Sequence, residues 1–155
     1  MRVLLVYPND RRDSLISVGV SVLSAHLKAA NHQVQLYDTT FYDTGRKTGD
    51  FFREQLGMIK PVDLSKHGVH RKKISLNDLQ KDFRRKVIEY DPGLIGFSTL
   101  EITYDQGLEL AKAIEDLTIP VLFGGIYPTF APRIVLREPS IDMICEGGGE
   151  DMIVE

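Results

Sequence analysis

The chain has 155 residues, 43% apolar and 26% charged, with a formal charge of −3, which fits one ordinary globular domain that buries its own core. Its lone cysteine, Cys145, excludes an internal disulfide framework and any multi-cysteine metal site built by this chain alone. No apolar run approaches the roughly 18 residues that span a bilayer, and the opening Arg2–Tyr7 is too short for a signal peptide, so a cytoplasmic protein without membrane contact is expected.

In chain order, strand and helix alternate. Val3 to Tyr7 is apolar throughout, as a central strand covered on both faces requires. A polar loop, Pro8 to Ser14, follows at its carboxyl end. Ile16, Val20, Leu23, Leu27 and Ala30 recur at helical spacing, and Asn31 can stop that helix in the left-handed conformation. Val34 to Tyr37 predicts an edge strand, because Val34 and Leu36 alternate with Gln33 and Gln35. Residues 39–75 then break the rhythm and are too long for an ordinary connection. Twelve Lys and Arg against six Asp and Glu lie between Asp43 and Lys86, so this insertion is basic while the rest of the chain is acidic. Such a segment can face an acidic partner, a phosphate-bearing ligand or nucleic acid, or be a solvated insertion of no specific use. His67 and His70 sit in it without a cysteine nearby, which does not make a metal site. Regular patterning resumes at Ser75, a good N-cap, with Leu76, Leu79, Phe83, Val87 and Tyr90 as one helical stripe.

Leu94 to Phe97 predicts a buried third strand, entered through the turn Asp91-Pro92-Gly93. Thr103 and Gln106 suggest a capping box for the helix that carries Leu110, Ile114 and Leu117. Ser98, Thr99 and Leu100 therefore stand at the carboxyl end of a parallel strand, where open α/β sheets bind ligands. Pro120 to Phe123 is a fourth strand ending in Gly124-Gly125, which permits close approach to backbone. Ile126 to Thr129 reads as a turn, Pro132 opens a short helix, and Ile141 to Cys145 is a fifth strand before Glu146-Gly147-Gly148-Gly149-Glu150. The predicted fold is α/β: a flavodoxin-like, Rossmann-like doubly wound parallel sheet of five strands, order 2-1-3-4-5, with a long insertion after the second. Hydroxyls at a turn also satisfy loop amides, and paired glycines also make tight turns, so these residues alone leave the ligand open. The dinucleotide fingerprint and the P-loop are both absent.

The segments MRVLLVYP, SVGVSVLSAHLKAANHQVQLYD, DPGLIGFSTLE, GGIYPTFAP and SIDMICEGGGED together resemble the cobalamin (B12)-binding domain at the amino terminus of cobalamin-dependent radical SAM enzymes. The resemblance covers nearly the whole chain. It implies that the nucleotide tail of cobalamin lies in the crevice at the sheet edge, with Ser98 against its dimethylbenzimidazole and Gly124 and Gly125 leaving room for it. Tyr127 and Thr129 would sit near the corrin or the tail. The family's Gly-Glu-Gly-Glu reads Gly147-Gly148-Gly149-Glu150 here, so Gly147 and Glu150 remain while the first carboxylate is missing. No counterpart of D-x-H-x-x-G occurs, because Asp10-Arg11-Arg12 lacks the histidine. The resemblance therefore implies base-off cobalamin with no protein histidine on cobalt.

It further implies that residues 1–155 are one cobalamin-binding-like domain, cut before a radical SAM domain of the same parent chain. That domain would hold the [4Fe-4S] cluster and S-adenosylmethionine of a methyltransferase or cyclase. On this reading the chain by itself catalyses nothing, and nucleic acid is not an expected partner. Two other readings stand beside it: a degenerate domain that keeps the fold for docking and binds no cofactor, and a flavodoxin-like module for another nucleotide.

Overall fold

The computed structural model describes residues 1–10, 17–47, 49–60 and 63–154. The predicted loop positions 11–14, the helical Ile16 and the terminal Glu155 lie outside the described residues. Strand β1 (Arg2–Tyr7) leads to helix α1 (Val18–Ala29) and strand β2 (Gln33–Asp38). The insertion follows, with β3 (Tyr42–Asp43), α2 (Gly49–Gln55), a 3-10 turn (Leu64–His67) and β4 (Lys72–Lys73). Regular alternation returns with α3 (Leu76–Tyr90), β5 (Leu94–Ser98), α4 (Glu101–Lys112) and β6 (Val121–Gly124). The chain continues through α5 (Ile126–Phe130), α6 (Pro132–Val135), β7 (Met143–Ile144) and a 3-10 turn, Met152–Val154.

Five strands form one parallel sheet in the order β2-β1-β5-β6-β7, which is the predicted 2-1-3-4-5 order once the insertion's two strands are set apart. Its side chains alternate between two cores. Leu4, Val6, Ile95, Phe97, Val121 and Phe123 face α3 and α4, where Leu79, Phe83, Val87 and Leu110 meet them. Val3, Leu5 and Leu122 face the other way and pack under Val20 and Leu27 of α1 and Ile153 of the last turn. Both faces of β1 are thus covered, which explains its unbroken apolar run. The α1 side is the thinner one. A row across the sheet runs Leu5, Gly96, Leu122, and the missing side chain at Gly96 leaves a hollow there.

Helix ends follow local chemistry. The Ser17 hydroxyl accepts the Val20 N–H at the start of α1, and Ser75 does the same for Asp78 at the start of α3. Asn31, at φ 63°, closes α1 while the His32 N–H reaches the Leu27 carbonyl.

Three expectations need correction. Helix α4 begins at Glu101, and Thr103 accepts the Leu100 N–H from within its first turn instead of preceding it. Gln106 is no cap: it is buried and donates to Thr39 Oγ1 at 2.9 Å. Ile126–Phe130 is a helix rather than a turn, since Pro128 falls in the first turn, where no N–H is needed. The fifth strand of the sheet is shorter than Ile141 to Cys145, because Ile141 bonds back to the Glu138 carbonyl and leaves the ladder.

The insertion is folded onto the domain. β3 and β4 pair in parallel as a two-stranded sheet. Asp82 of α3 accepts hydrogen bonds from Tyr37 at 3.0 Å and Tyr42 at 3.2 Å. Arg71 spans backbone carbonyls of Thr40, Asp10 and Tyr42. Much of the basic excess is spent inside the domain, with Arg46 on Asp105, Arg84 on Asp116 and Arg85 on Asp82. No helix among the described residues is long and apolar enough to cross a membrane.

Candidate functional site

The hollow at Gly96 is the floor of a cavity of about 150 Å³ at the carboxyl edge of the sheet. Leu5 and Leu122 flank that floor, and α1 supplies one wall through Gly19, Val20 and Leu23. Ser98, Gly124 and Gly125, at the ends of β5 and β6, supply the opposite wall. The rim is Cys145 with the turn Gly147-Gly148-Gly149-Glu150, and Met152 and Ile153 lean in from the last 3-10 turn. Seven glycines contribute to the lining, so backbone and aliphatic surface dominate it. An apolar cavity of this volume accommodates one aromatic ring.

The lining holds two ionisable groups, Glu150 and Cys145, and no cation among the described residues. Burial raises the Cys145 thiol above its usual range, and the neighbouring Glu150 charge adds to that, so the thiol stays neutral near pH 7. The thiol lies 3.8 Å from the Gly148 carbonyl. Among the described residues, no group of three His, Cys, Asp or Glu side chains converges on a point. His26, His67 and His70 are exposed and lie outside the cavity.

Five of the predicted residues come together in the lining: Ser98, Gly124, Gly125, Gly147 and Glu150. The Ser98 hydroxyl makes no hydrogen bond to the described residues and stays available to a ligand. Thr99, by contrast, is spent on the fold: its amide and its hydroxyl both donate to the Gly124 carbonyl, at 2.9 and 3.3 Å. Leu100 is the residue before α4 and lies outside the lining. Tyr127 turns to the other face of the sheet, where its ring lies 4.5 Å from that of Tyr104. Thr129 ties the rim together from outside: its hydroxyl donates to the Gly125 carbonyl at 2.8 Å and accepts the Gly147 N–H at 3.0 Å.

Gly125 has a reason to be glycine that owes nothing to a ligand. It sits at φ 99°, and a Cβ there would lie 2.6 Å from the Thr99 carbonyl oxygen. Residues that sequence reasoning did not single out are Gly19, Leu23, Gly96, Gly148, Gly149, Met152 and Ile153. Gly19 and Gly96 carry one signal, glycine inside a helix or a strand, which marks close approach of another group; Leu23, Met152 and Ile153 carry none.

The second large hollow belongs to the insertion. It is an open cleft of about 800 Å³ between β3, β4 and the start of α3, where Lys72, Lys73 and Arg85 alternate with Asp43, Asp78 and Asp82. Mixed charge and an open shape make it a poor match for a single anion.

Comparison with protein families matches residues 62–155 to the B12 binding domain. No curated protein sequence matches the chain. Among solved structures, the radical S-adenosylmethionine methyltransferase TsrM from Kitasatospora setae, with cobalamin and a [4Fe-4S] cluster bound, superposes with a TM-score of 0.68 and 20% identity. That match covers 99% of this chain and 25% of TsrM. TsrM with its tryptophan substrate and aza-SAM gives 0.66 and 21%, over 99% and 24%. MurG from Acinetobacter baumannii gives 0.52 and 11%, over 94% and 41%. At such identities the likeness is one of fold, and the chain spans about a quarter of the length of TsrM.

Proposed function

The chain belongs to the B12-binding domain family, and from that premise we propose that it holds cobalamin by receiving the nucleotide tail in the glycine-lined cavity. The observation that carries the reading is the cavity itself, apolar, ring-sized and placed at the carboxyl edge of a parallel sheet. The residues present fit the group. Leu5, Leu122, Leu23 and Val20 offer apolar surface to a flat aromatic base, and Gly19, Gly96 and Gly124 keep side chains out of its way. The unpaired Ser98 hydroxyl offers one hydrogen bond to it. Thr99 and Thr129 act as positioning residues that fix the two glycine turns.

When bound, cobalamin supplies cobalt-centred alkyl-transfer chemistry; the chain's residues bind, orient and shield it. The sequence after β1, Asp10-Arg11-Arg12, lacks the histidine of D-x-H-x-x-G, and this supports a base-off form without a protein imidazole on cobalt. The fold shared with TsrM supports a partner role beside a radical SAM domain of the same parent chain, in which the iron–sulfur cluster and S-adenosylmethionine would reside. The substrate belongs to that parent enzyme, and a methyltransferase is the activity this likeness supports.

Incubation with hydroxocobalamin followed by desalting tests the binding step. A corrin absorbance that travels with the protein near one equivalent is the expected result. Protein free of corrin after desalting would leave the chain as a domain that keeps the fold for docking alone.

A further inference from the structure

The glycines of the cavity fall into two groups. Gly125 and Gly147 have positive φ, which side chains resist. At Gly148 a Cβ would meet only the mobile Glu150 Oε2, at 2.7 Å, and at Gly149 and Gly124 it would make ordinary contact with Cys145, at 3.4 and 3.5 Å, but these three stand in the rim turn or at a strand end. Gly19 and Gly96 lie instead inside a helix and a strand. Neither has a positive φ. A Cβ at Gly19 would meet no atom of the described residues within 4 Å. One at Gly96 would touch Leu5 Cδ2 at 3.4 Å and Ile153 Cδ1 at 3.9 Å, the mobile ends of two aliphatic side chains.

Glycine is a poor choice for both positions on local grounds. Gly19 is the second residue of α1, and Gly96 is the middle residue of β5; alanine forms helix better, and a strand interior gains from a side chain to pack. The backbone permits alanine at both, yet both open onto the same cavity from different elements. We infer that Gly19 and Gly96 are the specificity-determining residues of the cavity: their missing side chains set its width and so the size of the flat group it admits. The inference rests on the cobalamin reading and deepens it, since the group admitted is the aromatic base of the nucleotide tail. It does not rest on the glycines alone, because the family match spans residues 62–155 and the cavity is completed by Leu5, Leu122 and Leu23.

The test uses the 155-residue chain with Gly19→Ala, Gly19→Leu and Gly96→Ala. Cobalamin and cobinamide, which lacks the nucleotide tail, are titrated by absorbance, and ligand-free melting is recorded. All three variants should melt at or above the parent. Gly19→Leu and Gly96→Ala should bind cobalamin about tenfold more weakly or worse, as overpacking of a fitted site does, and Gly19→Ala should fall between them and the parent. Cobinamide affinity should be the same in parent and variants. Three results would overturn the inference: unchanged cobalamin affinity, an equal loss for cobinamide, or variants that melt below the parent. A parent chain that binds no cobalamin is a different failure, which removes the functional reading and this inference with it.

Discussion

At Gly125 the backbone and not the ligand dictates the residue. The Thr99 carbonyl lies where a Cβ would stand, and that same carbonyl accepts the Tyr127 N–H at 3.3 Å to start α5. Gly125→Ala should therefore cost about 1–3 kcal/mol in ligand-free protein, a drop of roughly 2–9 °C in melting temperature for a domain of this size. Differential scanning calorimetry without cobalamin checks this, and an unchanged melt would mean the turn relaxes freely. Tyr104 makes a second residue-scale prediction. Its hydroxyl is buried with no hydrogen-bond partner among the described residues, and burial, reinforced by Glu138, Tyr127 and Asp105, pushes its pKa up to about 12. The unfolded chain ionises near 10, so the folded state holds this proton more tightly. Stability linked to Tyr104 is intact below pH ~10 and is lost as pH rises toward ~12. Tyr104→Phe should melt no lower than the parent at pH 7 and should show a shallower alkaline decline. An unchanged slope across that window would place the ionisation elsewhere, with Tyr37, Tyr42 and Tyr90 the other raised phenols.

Among the elements, the insertion is held to the domain by side-chain contacts of Arg71, Tyr42 and Arg46. Arg71 holds it together and to the domain through the carbonyls of Tyr42 in β3, Thr40 just after β2 and Asp10 in the loop that follows β1. Hydrogen bonds from a charged donor each contribute about 1.5–3 kcal/mol when their loss leaves partners unsatisfied. Arg71→Ala should release β3 and β4 while the main sheet stays closed. Hydrogen exchange should thus speed up at residues 40–43 and 72–74 and stay slow at Leu4, Leu5 and Ile95. Uniform acceleration would show that the insertion is part of the global fold. This element was the least legible in the sequence. Two strands of two residues leave no periodicity to read, and its Arg46 looks surplus until Asp105 of α4 is placed beside it. Helix α3 was legible because a stripe of apolar residues and a serine cap coincide there, and α1 from its apolar stripe alone, its Ser17 cap falling within the span read as helical. Helix α5 was hidden by Pro128, whose tolerance depends on the helix starting only two residues earlier.

At the scale of the molecule, strand order followed from apolar runs and turn residues, since parallel strands joined by right-handed crossovers leave few alternatives. The sheet edge that carries the cavity was legible for the same reason. The cavity was legible only on one side. Ser98 and Gly124 announce themselves at strand ends, whereas Leu23, Met152 and Ile153 enter through the packing of α1 and the last turn, which no local pattern encodes. Thr99 and Tyr127 looked like ligand contacts and are instead tied to the fold, because the pleat and the start of α5 turn them away from the cavity. The central claim is that this cavity takes the tail of cobalamin and that no protein nitrogen replaces it on cobalt. Electron paramagnetic resonance of the chain loaded with cobalamin, desalted and reduced to Co(II), tests both halves at once. The account predicts a protein-bound cobalt signal without nitrogen superhyperfine splitting. A bound signal split by nitrogen would contradict it.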